Sequence, residues 1–237
     1  MTLQAGDFDL QALLPRQSVS GTLRVYLEGD GRAWILRDRP SQNPTPRNSM
    51  VLDLVRDDPR PSVYLARPCQ YLASHDCKPH WWTHDRFAQT IVDSQSAALD
   101  KIKARLGNHD FELVGYSGGA TMALLLAEQR MDVRVVQSLA GNLDPQMWAT
   151  SQGLSALGSP TSPPLASPRI RQLPQRHLIG KDDRTITPTL SLEALRKTDL
   201  AQCREFHLLP GVNHHLGWQR AWQAFRDKPI YCPRLPD

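Results

Sequence analysis

The chain has 237 residues, 40% hydrophobic and 22% charged, with a formal net charge of +4. That suits one soluble domain with a single sizeable core. The basic residues are scattered, without a Lys/Arg run or an aromatic-basic stripe, which argues against nucleic-acid binding, and no apolar run nears the ~18 residues of a membrane span.

In chain order, "MTLQAGDFDLQALL" lacks the basic-then-apolar pattern of a secretory signal. "TLRVYLEGDG" (22–31) reads as an apolar strand ending in a glycine turn, "NSMVLDLVRDD" (48–58) as a short helix, and "PSVYLARPC" (61–69) as a second strand. Residues 83–107 have helical spacing, with Thr83 as the expected N-cap and Gly107 as the stop. "DFELVGY" (110–116) is a buried strand, followed by an apolar helix from Gly118 to Arg130. Further strands are expected at 133–141, 176–181 and 205–211, with helices at 187–198 and 216–227. Prolines crowd Ser159 to Pro174, where neither helix nor strand is expected to persist. The result is one α/β domain over 1–237, with a cap or loop insertion at about 142–174. Its β–α alternation predicts a mainly parallel sheet with helices on both faces.

Ligands of such sheets bind beyond the carboxyl ends of the strands. The polar residues there are Glu28–Gly31, Arg67–Cys69, Ser117, Asn142–Asp144, Asp182–Asp183 and His214–His215. Ser117 lies between a strand and a helix in Gly115-x-Ser117-x-Gly119, the context of a nucleophile elbow. The sharp turn needs very small residues two before and two after the serine, and it aims the Gly118 N–H and the helix dipole at a developing oxyanion.

A serine hydroxyl needs a base, and the base needs an orienting acid. "HLIGKDDRTITP" offers Asp183 as the acid, with Asp182 as its near rival and Asp144 as a more distant one. "LLPGVNHHLGW" offers His214 as the base, with His215 as the alternative. The second oxyanion donor is expected from the turn after the first of these strands, at the Asp30 N–H, or failing that at Gly31.

Together "YLEGDGRAW", "PTPR", "YLARPCQY", "GYSGGA", "AGNLDP" and "HHLGW" resemble the α/β-hydrolases, and more narrowly a group of bacterial α/β-hydrolase-like lipoproteins of unknown substrate. The resemblance spans nearly the whole chain. It implies an α/β-hydrolase fold, with Ser117 as nucleophile, Asp183 as acid and His214 as base. One departure is Glu28-Gly29, where His-Gly is usual in the superfamily; the oxyanion donor is a backbone group and survives this change.

The activity expected is hydrolysis of a small-molecule carboxylic ester or thioester through an acyl-enzyme, without a cofactor. Gly31, Met147 and Trp148 are expected to shape the substrate pocket. The competing reading is a catalytically silent hydrolase fold used for binding or scaffolding. His75, Cys77, His80 and His84, with Asp76 or Asp85, could be imagined as zinc ligands, but a loop and helix start rimming the pocket is the simpler reading, so no metal is expected.

Cys69 and Cys77 flank one short loop at the active-site end of the sheet. Cys203 precedes the last strand and Cys232 follows the helix that returns antiparallel to it, so both reach the opposite end. This topology selects Cys69–Cys77 and Cys203–Cys232, within the ~6 Å that a disulfide prefers. Two bonds imply an oxidising compartment such as the periplasm or cell envelope, and a signal or anchor outside this sequence. The alternative is four reduced thiols in a cytoplasmic enzyme.

Overall fold

The structure, a computed structural model, describes residues 1–36, 39–158, 165, 167–198 and 203–232. An N-terminal hairpin of β1 (Thr2–Ala5) and β2 (Phe8–Leu13) precedes β3 (Thr22–Leu27) and the small hairpin β4 (Trp34–Leu36) and β5 (Arg39–Pro40). Then come α1 (Met50–Arg56), β6 (Ser62–Leu65), a 3₁₀ turn (Pro79–Trp82), α2 (Gln89–Leu106), β7 (Asp110–Tyr116) and α3 (Gly118–Gln129). The chain continues with β8 (Val133–Leu139), α4 (Pro145–Ser151), α5 (Pro168–Gln172), β9 (Gln175–Gly180), α6 (Pro188–Arg196), β10 (Arg204–Leu209) and α7 (Trp218–Phe225).

The main sheet has eight strands in the order β1-β2-β6-β3-β7-β8-β9-β10. Strands β6 to β10 and β3 are parallel to one another; only β2 runs against them, antiparallel to both β6 and β1. Helices cover both faces, as the alternation predicted. One apolar core packs α2, α3 and α5 against the sheet; the other holds α1 and α7, with Trp218 and Trp222 at its centre. The central α3 is buried from Gly118 to Ala127, which is why its sequence is apolar nearly all round.

Two local expectations are corrected, and one element is added. The helix expected from Thr83 starts six residues later, at Gln89. Thr83 instead closes the 3₁₀ turn, donating its hydroxyl to the Pro79 carbonyl at 2.8 Å. Arg86 and Phe87 both turn inward between the two elements. Within the proline-rich stretch a short helix does persist at Pro168–Gln172, because Pro168 occupies its first turn and the Ser167 hydroxyl caps the Ile170 N–H; residues 159–164 and 166 lie outside the described ones. The N-terminal segment, read only for a signal, is a hairpin whose alternation buries Leu3, Ala5, Phe8, Leu10 and Ala12.

Disulfides join Cys69 to Cys77 and Cys203 to Cys232, with Cα separations of 5.5 and 4.4 Å. This is the pairing that the topology selected. Beneath the sheet, at the amino ends of the strands, the buried Arg24 binds Glu112 at 2.9 Å and Asp58 at 3.0 Å. Among the described residues no helix is long and apolar enough to cross a membrane.

Candidate active site

Ser117 sits at the junction of β7 and α3 with φ 51° and ψ −120°, a region that non-glycine residues seldom occupy. Its backbone is tied on both sides. The Ser117 N–H donates to Leu139 O at 3.0 Å, and its carbonyl accepts from Asn142 N at 2.9 Å and Ala120 N at 3.1 Å. These bonds hold the strained conformation in place. A Cβ on Gly115 would strike the Gly119 carbonyl and lie 2.5 Å from Ala120 Cα, and one on Gly119 would strike the Leu27 carbonyl at the end of β3. The glycines are thus required by the closeness of two strands and a helix.

His214 and Asp183 come together from separate loops. Asp183 follows β9, and its Oδ1 accepts the Thr185 and Ile186 N–H groups at 2.7 and 2.9 Å. Its Oδ2 faces His214 Nδ1 at 2.8 Å, with the carboxylate side chain wholly buried. That contact places the ring proton on Nδ1 and leaves Nε2 as an acceptor towards the cavity. The His214 loop is built on Asn213, whose Oδ1 accepts from His215 N and Leu216 N. The His214 carbonyl accepts from Tyr116 Oη at 2.9 Å and Trp218 Nε1 at 3.1 Å.

The two alternative acids lie elsewhere, whereas His215 lines the same cavity as His214. Asp182 turns to solvent and accepts from Gly211 N at 2.9 Å. Asp144 caps α4 through Met147 N and pairs with Lys197 at 3.1 Å. His215 contacts Tyr116 Oη at 3.0 Å, and burial together with the neighbouring His214 lowers its pKa.

A cavity of about 400 Å³ opens above these residues; Ser117, His214, Asp30, Gly31 and Trp148 all line it. Met147 is not among the lining residues, and packs instead beside Lys197 with Sδ 3.5 Å from Nζ. Within the described residues the Ser117 hydroxyl makes no hydrogen bond, so Ser117 and His214 share the cavity without a direct bond. Among the described residues neither the Asp30 nor the Gly118 N–H meets a protein acceptor; Asp30 lines the cavity, and Gly118 directly follows the lining Ser117. The Asp30 carboxylate packs on Gly118, where any Cβ would collide with it.

Arg86 went unread in the sequence, and Arg67 and Glu28 stand there only as polar residues at strand ends. Arg86, hidden in what looked like a helix, and Arg67 both bind the Asp30 carboxylate, at 3.2 and 3.3 Å. Glu28, at the departure from His-Gly, accepts from Gly29 N at 2.9 Å and Tyr64 Oη at 2.9 Å. Burial pushes its carboxyl up to about 7 despite these bonds. "PTPR" contributes Arg47 to the rim, and Pro44 O accepts from Arg32 N at 2.9 Å. The imagined zinc set is dispersed: Cys77 is in a disulfide, His80 faces Asp85 at 2.8 Å and His84 packs edge-on against Trp34.

No protein-family model matches this sequence, and no curated protein matches it either. Solved structures do match. The chain is similar to TT1662 of Thermus thermophilus, at 18% identity and TM-score 0.67, covering 96% of this chain and 95% of that one. It is similar to a cold-adapted esterase from an Arctic intertidal metagenomic library, at 18% identity and TM-score 0.62, over 95% and 88% of the two chains. It also resembles XC6422 of Xanthomonas campestris, described as a serine hydrolase without lid, at 16% identity and TM-score 0.56, over 100% and 96%. At these identities the likeness establishes the fold. The chain has the α/β-hydrolase fold.

Proposed function

We propose that the protein is a serine hydrolase of carboxylic esters, acting through an acyl-enzyme on Ser117. The observation that carries this reading is the His214–Asp183 contact of 2.8 Å beside a strained serine in one cavity. His214 Nε2 takes the Ser117 proton as Oγ attacks the ester carbonyl, and the carbonyl oxygen becomes an oxyanion held by the Asp30 and Gly118 N–H groups. The tetrahedral adduct expels the alcohol, which receives the proton from His214. Water then repeats both steps on the acyl-enzyme and releases the carboxylic acid. Asp183 keeps the imidazole in its Nδ1–H tautomer and stabilises the imidazolium; it holds no proton itself. Esterases among the structural neighbours favour this class of reaction. The two disulfides favour an oxidising compartment, and we place the enzyme in the cell envelope.

A silent binding fold is the second reading. It is favoured by the Ser117 hydroxyl, which makes no hydrogen bond to His214 among the described residues although both line one cavity. A fluorophosphonate probe separates the two. An activated serine adds one probe per chain at Ser117, and Ser117→Ala, still folded by circular dichroism, adds none. A folded parent protein that resists labelling by probes of graded size would establish the silent fold.

A further inference from the structure

The cavity over Ser117 is lined by three arginines, Arg32, Arg47 and Arg86, against the carboxyls of Glu28 and Asp30. Arg86 is 2% exposed. Its Nη1 donates to Thr83 O at 3.1 Å, its Nε lies 3.2 Å from Asp30 Oδ2, and its guanidinium carbon lies 5.3 Å from the Trp148 ring centre. Its Nη2 is buried and has no hydrogen-bond partner among the described residues, and the same is true of Arg67 Nε. Arg67, 5% exposed, stands behind the cavity wall and shares Asp30 with Arg86 through a contact of 3.3 Å.

Two buried guanidiniums therefore divide one carboxylate, and one cation is left uncompensated. Glu28 does not supply the missing charge in full at neutral pH, because burial holds its carboxyl up to about 7. At the rim, Arg32 and Arg47 form no ion pair among the described residues. A buried donor left open and a cation left unpaired are both costly in a low-dielectric site, and both are relieved by an incoming oxygen anion. Unpaired rim arginines would also draw anions in from solution. The excess at the buried cluster is at most one charge, which matches a carboxylate rather than a doubly ionised phosphate. Trp34, Ala33 and Trp148 supply apolar wall for a carbon chain.

We propose that the substrates are esters carrying a free carboxylate, which the Arg86 guanidinium binds beside Trp148 while Arg32 and Arg47 guide it into the cavity. This rests on the hydrolase reading above, and the test keeps the two apart. Two matched pairs vary only the charge. Mono-(4-nitrophenyl) adipate against 4-nitrophenyl heptanoate puts the carboxylate on the acyl side. 4-(Butanoyloxy)benzoate against 4-(butanoyloxy)benzamide puts it on the leaving side. Ser117→Ala supplies the blank for spontaneous hydrolysis. At low salt the anionic member of at least one pair is expected to show a kcat/KM at least ~10-fold higher, with the preference shrinking as salt is added.

The exposed and half-buried pair Arg47→Gln and Arg32→Gln, which leaves the buried cluster alone, should lower the preference. Arg86→Gln should abolish it, and Arg86→Lys should keep part of it. Neutral esters turned over as fast as the anionic ones in both pairs, by protein that labels at Ser117, would overturn the proposal and leave the hydrolase reading standing. If Ser117 neither labels nor turns over any ester, the hydrolase reading fails instead. The anion site is then decided by calorimetry with adipate against hexane-1,6-diol: adipate heat lost in Arg86→Gln upholds it, and no difference between the two ligands overturns it.

Discussion

Asp183 and Asp182 are adjacent in sequence but meet different surroundings, since one accepts two backbone N–H groups and faces His214 while the other caps Gly211 in solvent. Asp183→Asn should therefore lower kcat by about 10³–10⁴-fold, because the amide supports the wrong imidazole tautomer. Asp182→Asn should change it by less than about 3-fold, and Asp144→Asn should act through the α4 cap at a stability cost of about 1 kcal/mol or less. Steady-state kinetics with circular dichroism separates these, and a damaged Asp144→Asn with an intact Asp183→Asn would move the acid to the preceding strand. Glu28 gives a pH signature. Its folded pKa of about 7 exceeds the ordinary 4.5, so its contribution to stability is fully present below about 4.5 and lost as pH rises through 7. The loss is on the order of 3 kcal/mol. Glu28→Gln keeps an acceptor for Gly29 N without that loss, so its stability relative to the parent should rise from pH 4.5 to 7 and then level off. Urea midpoints across that range measure it, and a pH-independent difference would contradict the burial of an ionisable Glu28. Ser117, Asp183 and His214 were legible because each follows a strand and its chemistry is local. Arg86 was not, because only the packing of the loop reveals that its side chain turns inward.

At the scale of elements, the elbow depends on three chain segments approaching without side chains between them. Gly115 in β7 pairs with Leu27 of β3 and Ser138 of β8 while α3 crosses above it. Gly115→Ala places its Cβ into backbone, which cannot move away as a side-chain tip would. A loss of several kcal/mol is expected, of the order seen for overpacked cores and broken backbone contacts, together with loss of probe labelling. Thermal unfolding and labelling measure both, and a variant of parental stability would show that the segments can separate. The strands and helices around this elbow were readable from apolar runs and their bounding glycines. Less readable was the start of α2. Phe87, Ile91 and Ala98 recur at helical spacing, yet Phe87 belongs to the turn before the helix and reaches the same core from there. Periodicity reports which residues face the core and not the path of the backbone that brings them. The hairpin of β1 and β2 carries the opposite pattern, a period of two around Gly6 at φ 60°, in a segment too short and too polar at its turn to stand out as a strand pair.

Over the whole molecule, the disulfides lie at opposite ends of the sheet and stabilise different things. Cys69–Cys77 closes a loop whose Gln70 donates to Gly29 O at 2.9 Å, directly behind the Asp30 turn. Cys203–Cys232 fastens the segment after α7 to the start of the edge strand β10. Alkylation without reductant, followed by intact mass, should add no label to protein made in an oxidising compartment, and peptide mapping should recover these two pairs. Four labels would remove the bonds and with them the argument for the cell envelope. The cysteine pairing was legible because chain direction alone decides which ends of the sheet meet. The cationic cavity wall was not, since Arg32, Arg47 and Arg86, and Arg67 behind them, come from separated segments. Four of the six tryptophans divide along the same line. Trp218 and Trp222 are sealed beneath α7, with Trp222 Nε1 donating to Tyr26 Oη at 2.8 Å, whereas Trp34 and Trp148 are half-buried in the cavity wall. These four form two separate optical reporters, against a background from Trp81 and Trp82, which pack in the other apolar core. The sealed pair emits at short wavelength until the fold is lost, and the cavity pair answers to whatever displaces water beside Arg86. Occupancy can therefore be followed by quenching in intact, unlabelled protein, and a ligand that dims the emission without shifting its blue component has entered the cavity and left the core alone.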